Sequence, residues 1–407
     1  MDFAIPSEIL TTIGALDAFI EKEIRPLENA NRQYFDHRRE NARTNWDADG
    51  TPRKEWEELL AEMRRRADRA GFLRWSLPKE LGGSGGGNLG MAIIREHLAH
   101  KGLGLHNDLQ NESSIVGNLP TVLMFRDFGT AEQKKRFIPG ILDGSISVVF
   151  GLTEPGHGSD ATWMETRAVR EGDGWRINGA KTWNSGVHQA THDFIFARAS
   201  GKEGTSKGIG CFIVPTNAPG FKVEQYLWTF NMPTDHGRVS LSDVWIPAGE
   251  VLGDPENGLA VALHFVHENR VRQAASSLGA AQFCINESVK YSKERKQFGK
   301  PISEFQAIAF KLADLATQID AARLLTHRAA AMKDAGMKTT LESSMAKLYS
   351  SEVAVRAAEE GVQIHGGYGF IKDYPAEKFY RDVKLCTIGE GTSEIQRLVI
   401  ARQLLKD

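Results

Sequence analysis

Near the end of the chain a single carboxylate stands between two glycines. The segment reads Cys386-Thr-Ile-Gly-Glu-Gly-Thr-Ser-Glu-Ile395, with Glu390 at its centre. Glycines on both sides clear the approach to a carboxylate, and burial beside the preceding apolar run raises its proton affinity toward that of a useful general base. An acidic loop residue is more often simply solvated, so this segment alone leaves both readings open. Two upstream segments have the chemistry of a flat-ring site. Phe150-Gly-Leu-Thr-Glu-Pro-Gly-His-Gly-Ser-Asp160 is a polar, glycine-containing loop behind a short apolar run. Its backbone N–H groups can approach a phosphate or a flavin edge, or it is an ordinary hairpin loop. In Lys181-Thr-Trp-Asn-Ser-Gly186, Trp183 and Ser185 are two apart and share one side of an extended strand. The indole can then cover a flat ring while the hydroxyl bonds its edge. A core tryptophan beside a solvated serine is the alternative.

A fourth pattern misleads. Gly85-x-Gly87-x-x-Gly90 matches GxGxxG, but a dinucleotide site needs a buried strand immediately before it and parallel βαβ units after it. Pro78-Lys-Glu-Leu-Gly-Gly intervenes and the next stretch is helical in pattern, so a surface loop is expected.

The elements that must position these groups follow from periodicity. Helical spacing runs over Pro6–Leu27, residues 53–70, Met91–His100 and Glu132–Phe137. From Ser147 the texture becomes strand-like, in VVFGL, WRINGAKTW, DFIFARA, IGCFIVP, FKVEQYL and RVSLSDVWIP. Asn178-Gly179 reads as a hairpin turn. From Gly258 helices return. Phe305, Ile308, Leu312, Leu315, Ile319, Ala322 and Leu325 share one face, Thr340–Val362 continues the pattern, and Ser393–Leu405 closes it. The expected fold is mainly α with a central β domain: an N-terminal helical domain over 1–145, a small β-barrel or sandwich over 146–253, and a C-terminal four-helix bundle over 254–407.

Composition bounds the function. The chain has 407 residues, 41% apolar and 25% charged, with 50 Lys and Arg against 52 Asp and Glu. That excludes a mainly disordered chain and gives no electrostatic drive toward nucleic acid. Cys211, Cys284 and Cys386 lie far apart without metal-ligand spacing, so buried thiols in a reducing compartment are expected and no metal. The N-terminus lacks the pattern of a signal or transit peptide, and no window reaches the ~18 apolar residues of a membrane span.

Together TEPGHGSD, KTWNSG, RKQFGKPISEFQ, QIHGGYGF and IGEGTSEIQ resemble the acyl-CoA dehydrogenase family, in its order and over essentially the whole chain. The resemblance implies FAD, an acyl-CoA substrate, an electron-transfer flavoprotein as acceptor and a homotetramer built as a dimer of dimers. The acidic N-terminus favours a bacterial cytoplasmic setting, with the mitochondrial matrix as alternative. Glu390 would remove the α-proton, and the β-hydrogen would leave as hydride to flavin N5, giving a trans-2-enoyl-CoA. The Glu390 N–H and the flavin ribityl 2′-hydroxyl would stabilise the thioester oxygen. By the same resemblance Phe150, Leu152, Thr153 and Ser159 lie along the flavin, with Ser159 at the start of the acyl-CoA channel. Trp183 and Ser185 cover the ring and bond its edge. Arg295, Gln297 and Phe298 reach the FAD of a neighbouring subunit, Gln363 and Gly367 its adenine end, and Thr392 and Glu394 the FAD again. Arg270, Gly389 and Gly391 fall to the substrate, although a purely structural Arg270 is equally consistent.

Some family members carry the base one residue before the arginine matched by Arg270. Asn269 stands there and cannot serve, which favours Glu390. His157, Trp163, His267 and the segment MPTDHGRVSL depart from the family pattern. Gly389 replaces a bulky aromatic, which opens the acyl pocket to a branched, longer or ring-bearing chain unless a neighbour fills the gap. An oxygen-reacting flavoenzyme of the same fold and a non-catalytic helical assembly protein are the competing readings.

Overall fold

The computed structural model describes residues 4–109, 113–230 and 235–406. The backbone divides into two compact units. One is helical and comprises 1–42, 54–118 and 269–407. The other comprises 43–53 and 119–268 and contains the sheet.

In the helical unit the chain begins with α1 (Ser7–Phe19), a π-helical turn at Ile20–Ile24 and α2 (Arg25–Ala30). The expected helix is therefore continuous in direction but changes its hydrogen-bond pitch at Ile20. α3 (Lys54–Arg69) and α4 (Asn88–His100) follow. Leu16, Ile20, Ile24, Trp56, Met63, Ile94 and Leu98 form their common core. The glycine-rich stretch has a structural role. Both Asn88 N–H (2.6 Å) and Leu89 N–H (2.9 Å) at the start of α4 donate to the carboxylate of Asp334. The chain's own anion thus satisfies the helix terminus, and a Cβ on Gly86 would collide with the Trp75 ring.

In the sheet unit α5 (Pro120–Phe128) and α6 (Ala131–Asp143) precede the strands. Thr130 and Gln133 form a reciprocal capping box that starts α6. The strands are β1 (Val148–Gly151), β2 (Arg167–Glu171), β3 (Gly174–Ser185), β4 (His192–Arg198), β5 (Ile209–Pro215), β6 (Phe221–Leu227) and β7 (His236–Pro247). They form one seven-stranded sheet in the order β1-β4-β2-β3-β7-β6, with β5 on the other edge of β4. β4 and β5 are buried along nearly all their length, which their unbroken apolar runs require. Trp175, Ile177, Ile195, Phe212, Val214, Leu241 and Val244 are the core of this unit.

The hairpin expected at Asn178-Gly179 is not there. β3 runs straight through it and the turn lies at Gly172-Asp173, where Glu171 pairs with Gly174. The pairing of β3 with β7 instead shifts register between Ile177 and Gly179. The glycine serves a close approach, because a Cβ on Gly179 would meet the Thr166 side chain. Asn178 serves the bulge: its Oδ1 accepts from Asp243 N–H (2.8 Å), and Asp243 itself is left-handed at φ 54°.

The long helix α7 (Gly258–Glu294) starts in the sheet unit and enters the helical unit at Asn269. With α8 (Gln306–Asp334), α9 (Thr340–His365), α10 (Ala376–Asp382) and α11 (Ser393–Leu404) it completes the C-terminal helices. Ala281, Cys284, Ile319, Ala322, Ala354, Ala357 and Ala358 sit where α7, α8 and α9 meet, and their small side chains let the backbones approach closely. All three cysteines are buried and unbridged. Among the described residues no helix is long and apolar enough to cross a membrane, and no cluster of His, Cys, Asp and Glu is placed to hold a metal.

Candidate active site

Glu390 sits at the reversal between the buried turn ending at Thr387 and α11. Its φ is 55°, and Gly391 follows at 88°. A glutamate in the left-handed region is strained by roughly 1–2 kcal/mol, so neighbours must hold it there. They do so through two carbonyls. The Gly391 carbonyl accepts from Lys347 Nζ (2.8 Å) and Gln396 Nε2 (2.9 Å). The Glu390 carbonyl accepts from the same Gln396 amide (3.1 Å), with Arg270 Nε at 3.5 Å. Burial pulls the Lys347 ammonium down to about 8, against the opposing pull of Cys386 and Glu390. Burial likewise lowers Arg270, and the Glu390 charge opposes it.

The Glu390 carboxylate has its own holder. Asn269 Nδ2 donates to Glu390 Oε1 at 3.0 Å, and Asn118 Nδ2 donates to Asn269 Oδ1 at 2.8 Å. An ionised carboxylate only accepts, so it fixes which end of Asn269 faces it and hence the direction of the whole relay. The residue that cannot replace the base thus supports it. Beside Glu390, a Cβ on Gly389 would find Gln273 Nε2 at 3.5 Å and Leu385 O at 3.7 Å, ordinary contacts. Nothing in the backbone demands glycine there.

Elsewhere in the helical unit Arg295 follows α7, with its guanidinium 5.7 Å over the Tyr368 ring, next to Gly367. Gln297 belongs to a two-residue ladder in which Lys296–Gln297 pairs with Lys300–Pro301. Phe298 lies at its turn, left-handed at φ 51° and 95% exposed. Gln363 and Gly367 are exposed at the end of α9. Thr392 caps α11 by accepting from Ile395 N–H (3.3 Å). Glu394 is exposed in the first turn of that helix, its carboxylate lowered by its own backbone N–H and the Thr392 hydroxyl.

In the sheet unit the loop after β1 is bolted from beneath. Lys181 is fully buried and donates to Glu154 Oε1 (2.9 Å) and the Leu152 carbonyl (3.2 Å). Glu154 also accepts the Glu165 (2.7 Å) and Thr166 (2.8 Å) N–H groups, and Thr182 N–H donates to the Thr153 carbonyl (2.9 Å). Burial lowers Lys181 to about 8, with Glu154 opposing. Burial raises Glu154, but Lys181 and the N–H donors outweigh it and hold the carboxylate low. Leu152 and Thr153 are half-buried and Ser159 is exposed. The Phe150 ring spends one face on Phe265, stacked at 4.3 Å.

Trp183 is the extra residue of a second bulge, between Thr182 and Asn184. Its φ is 66° and its indole is 52% exposed. Trp183 and Ser185 do face the same way, yet through this bulge and not an extended strand. Ser185 Oγ lies 2.7 Å from His236 Nδ1, and His236 meets the indole edge-on at 6.1 Å. Of the atypical segment MPTDHGRVSL, residues 232–234 lie outside the described residues. Beneath the bulge Asn184 donates to the buried Asp193, whose carboxyl is pushed up to about 7 by burial, with Asn184 and Lys181 opposing.

Within the sheet unit, Trp183 presents a half-exposed flat ring beside the Ser185 hydroxyl, chemistry compatible with a flavin ring. Within the helical unit, the Arg295 guanidinium and the amides of Gln297 and Gln363 are of the kind that bind a dinucleotide's phosphates and adenine. Asn118, Lys347, Gln396, Glu154 and Asp193 were not picked out by sequence reasoning. The usable signals were a lysine amid small residues in SSMAKLYSS, and charges in strands otherwise buried.

Comparison with known proteins decides the family. Models described as the acyl-CoA dehydrogenase N-terminal, middle and C-terminal domains match residues 21–145, 149–244 and 256–405. The probable acyl-CoA dehydrogenase YngJ of Bacillus subtilis is 42% identical over 338 residues, 83% of this chain and 87% of that one. The chain belongs to the acyl-CoA dehydrogenase family. This is a family of flavoprotein oxidoreductases, and an oxidoreductase is what the chain is. The CarC subunit of the caffeyl-CoA reductase-Etf complex of Acetobacterium woodii is 39% identical over 352 residues, 86% of this chain and 91% of the relative. The butyryl-CoA dehydrogenase structure from Megasphaera elsdenii superposes with a TM-score of 0.81 at 31% identity, covering 100% of both chains.

Proposed function

We propose that the protein is an FAD-dependent acyl-CoA dehydrogenase with Glu390 as its base. The observation that carries this reading is a carboxylate between two glycines, held left-handed by Lys347, Gln396 and Arg270 and oriented by a hydrogen bond from Asn269. Glu390 takes the α-proton of the acyl thioester. A carboxylate is far too weak to do this unaided, so the forming enolate oxygen needs donors, and the Glu390 backbone N–H is the one this chain supplies. Such a donor is worth ~3–4 kcal/mol of transition-state stabilisation. Bound FAD supplies the two-electron acceptor for the β-hydrogen.

Trp183, Ser185, Phe150, Leu152, Thr153 and Ser159 hold the flavin ring and the entry of the thioester. Arg295, Gln297, Phe298, Gln363 and Gly367 hold FAD across a subunit boundary in a homotetramer, and Thr392 and Glu394 border it. Arg270, Gly389 and Gly391 shape the substrate side. The domain limits 1–145, 146–253 and 254–407 belong to this reading, as do an electron-transfer flavoprotein as partner and a bacterial cytoplasmic setting. The relative named for an Etf complex supports that partner. Being named a reductase, it also favours a second reading, in which protonated Glu390 delivers the α-proton and the chain reduces an enoyl thioester.

The test is anaerobic titration of the purified flavoprotein with acyl-CoAs. Wild type bleaches the flavin, whereas Glu390→Gln folds, keeps its FAD and does not. Normal bleaching by Glu390→Gln removes the base assignment, and rapid oxygen consumption by the reduced wild type turns the reading to an oxidase.

A further inference from the structure

Beneath the Trp183 bulge the sheet unit buries one cation with two carboxyl groups. Lys181 and Asp193 are 0% exposed and Glu154 is 5% exposed. The Lys181 ammonium donates to Glu154, which also accepts two backbone N–H groups, from Glu165 and Thr166. Three donors, one of them charged, make a socket for an ionised carboxylate. Asp193 has no such socket. The cation that acts on it is Lys181, which is committed to Glu154. Among the described residues its hydrogen bonding is the single donation from Asn184 Nδ2 to Oδ2. Its other oxygen, Oδ1, is buried without a donor, and so is the Oδ1 of Asn184. Two groups in contact thus each keep an idle acceptor, and a buried acceptor left unpaired is costly. One proton on Asp193 Oδ1, donated to Asn184 Oδ1, supplies both, and each group then donates once and accepts once. The rest of the surroundings bring no charge. Val149 on β1 and Val214 on β5 flank Asp193 on the adjoining strands, and burial holds the Cys211 thiol neutral. The β1 side is closed, since a Cβ on Gly151 would come within 2.7 Å of Asn184 Nδ2 and 3.0 Å of Asp193 Oδ1.

What this pair holds is the bulge. Thr182 pairs with Arg238 and Asn184 with Gly237, and Trp183 is the extra residue between them, left-handed at φ 66°. Trp183 is half-exposed and Asn184 is fully buried, so the Asn184 amide is the inner anchor of the turn that aims the indole. We propose that Asp193 is carried as the neutral acid and that its O–H, donated to Asn184 Oδ1, locks the bulge that aims Trp183. Asp193 is then a positioning residue, acting on Trp183 through Asn184. Burial pushes its carboxyl up to about 7, so the lock is at full strength below the ordinary carboxyl range and is lost as pH rises through 7. That Trp183 covers a flavin belongs to the reading above; the lock does not depend on it.

The test is hydrogen exchange of the holoenzyme, read by mass spectrometry on peptides spanning 182–187 and corrected for the intrinsic pH dependence of exchange, with Asp193→Asn beside wild type. The asparagine amide gives Asn184 Oδ1 a donor that does not titrate. From pH 5 to pH 7 opening of the wild-type bulge should become at least about fivefold more frequent, against a linkage limit of about tenfold per pH unit, while Asp193→Asn stays level. His236 and Asp235, the titratable pair on the outer side of the bulge, are common to both proteins. Equal profiles overturn the proposal. Infrared difference spectra read the proton directly: below pH 7 wild type must show a protonated-carboxyl C=O band that Asp193→Asn lacks, and identical spectra are equally fatal. If Asp193→Asn does not fold, wild type alone decides, because an acid that is neutral in the closed bulge must ionise on opening and a flat exchange profile overturns the proposal. FAD retention separates the two assignments: exchange that follows pH while FAD retention does not upholds the lock and removes Trp183 from the flavin.

Discussion

Replacing Asn269 by leucine isolates what its amide does for Glu390. The side chain is 1% exposed, and leucine keeps its branching and heavy-atom count while removing the 3.0 Å donation to Glu390 Oε1. A hydrogen bond to a charged group contributes about 1.5–3 kcal/mol, and Glu390 is only half-buried, which puts its value at the low end. At 1.36 kcal/mol per pH unit, about 1.5 kcal/mol moves the proton equilibrium by about one unit. The sign follows from the donor: the amide favours the carboxylate over the acid, so its removal makes protonation easier. Arg270 and Lys347 also face Glu390, with Cys386 and Glu394 next to Lys347, and all four are unchanged in the variant. The assay is kcat/KM against pH with an artificial electron acceptor, which reports the base of the free enzyme. The acid limb should move up by about one pH unit, with activity recovering above it. Asn118→Ala should move it the same way by less, since Asn269 then loses only its orienting partner. A uniform loss of rate at every pH, with the limb in place, would show that Asn269 merely packs.

Three other outcomes are expected. Gly389→Tyr fits the backbone and should narrow acceptance to slim, straight acyl chains; an unchanged ranking across an acyl-CoA panel would remove Gly389 from the argument. Arg295→Ala should weaken FAD retention and tetramer stability together, and equal FAD content with unchanged sedimentation would separate them. Asp193 is raised to about 7 in the folded protein, so its contribution to stability is fully present below the ordinary carboxyl range and is lost as pH rises through 7. Asp193→Asn should therefore melt higher than wild type at pH 8 and lose that advantage at pH 4; parallel melting profiles would contradict the burial argument.

Much of the fold was legible because it rests on period and order. The helices, the strand run and the return to helices follow from apolar spacing that local residues set. What misled was local chemistry with two structural meanings. Asn178-Gly179 suits a tight turn and also a bulge against Thr166, and only pairing with β7 chooses between them. Trp183 and Ser185 were expected to share one side of an extended strand, but a left-handed bulge at Trp183 interrupts that strand and leaves no mark in sequence. The flanking glycines single out Glu390 as a candidate base. Most of its supports were not legible, because Asn118, Asn269 and Lys347 are brought to it from three separate stretches of chain, while Gln396 lies in the same motif.

The composition of the two units has a consequence for synthesis on the ribosome. The sheet unit needs only residues 43–53 and 119–268, so its sequence is complete once Glu268 has been added and has cleared the exit tunnel. The helical unit cannot close until the last of residues 269–407 emerges, although its first 42 residues were made at the start. Ala92 on α4, whose apolar partners Val271, Ala274, Ala329 and Ala346 lie on α7, α8 and α9, is therefore translated long before them. During that interval apolar surface of the early helices lacks the rest of its unit, the condition under which nascent chains aggregate or recruit chaperones. Slowing elongation over α7 would prolong that interval, and raising chaperone levels would offset it.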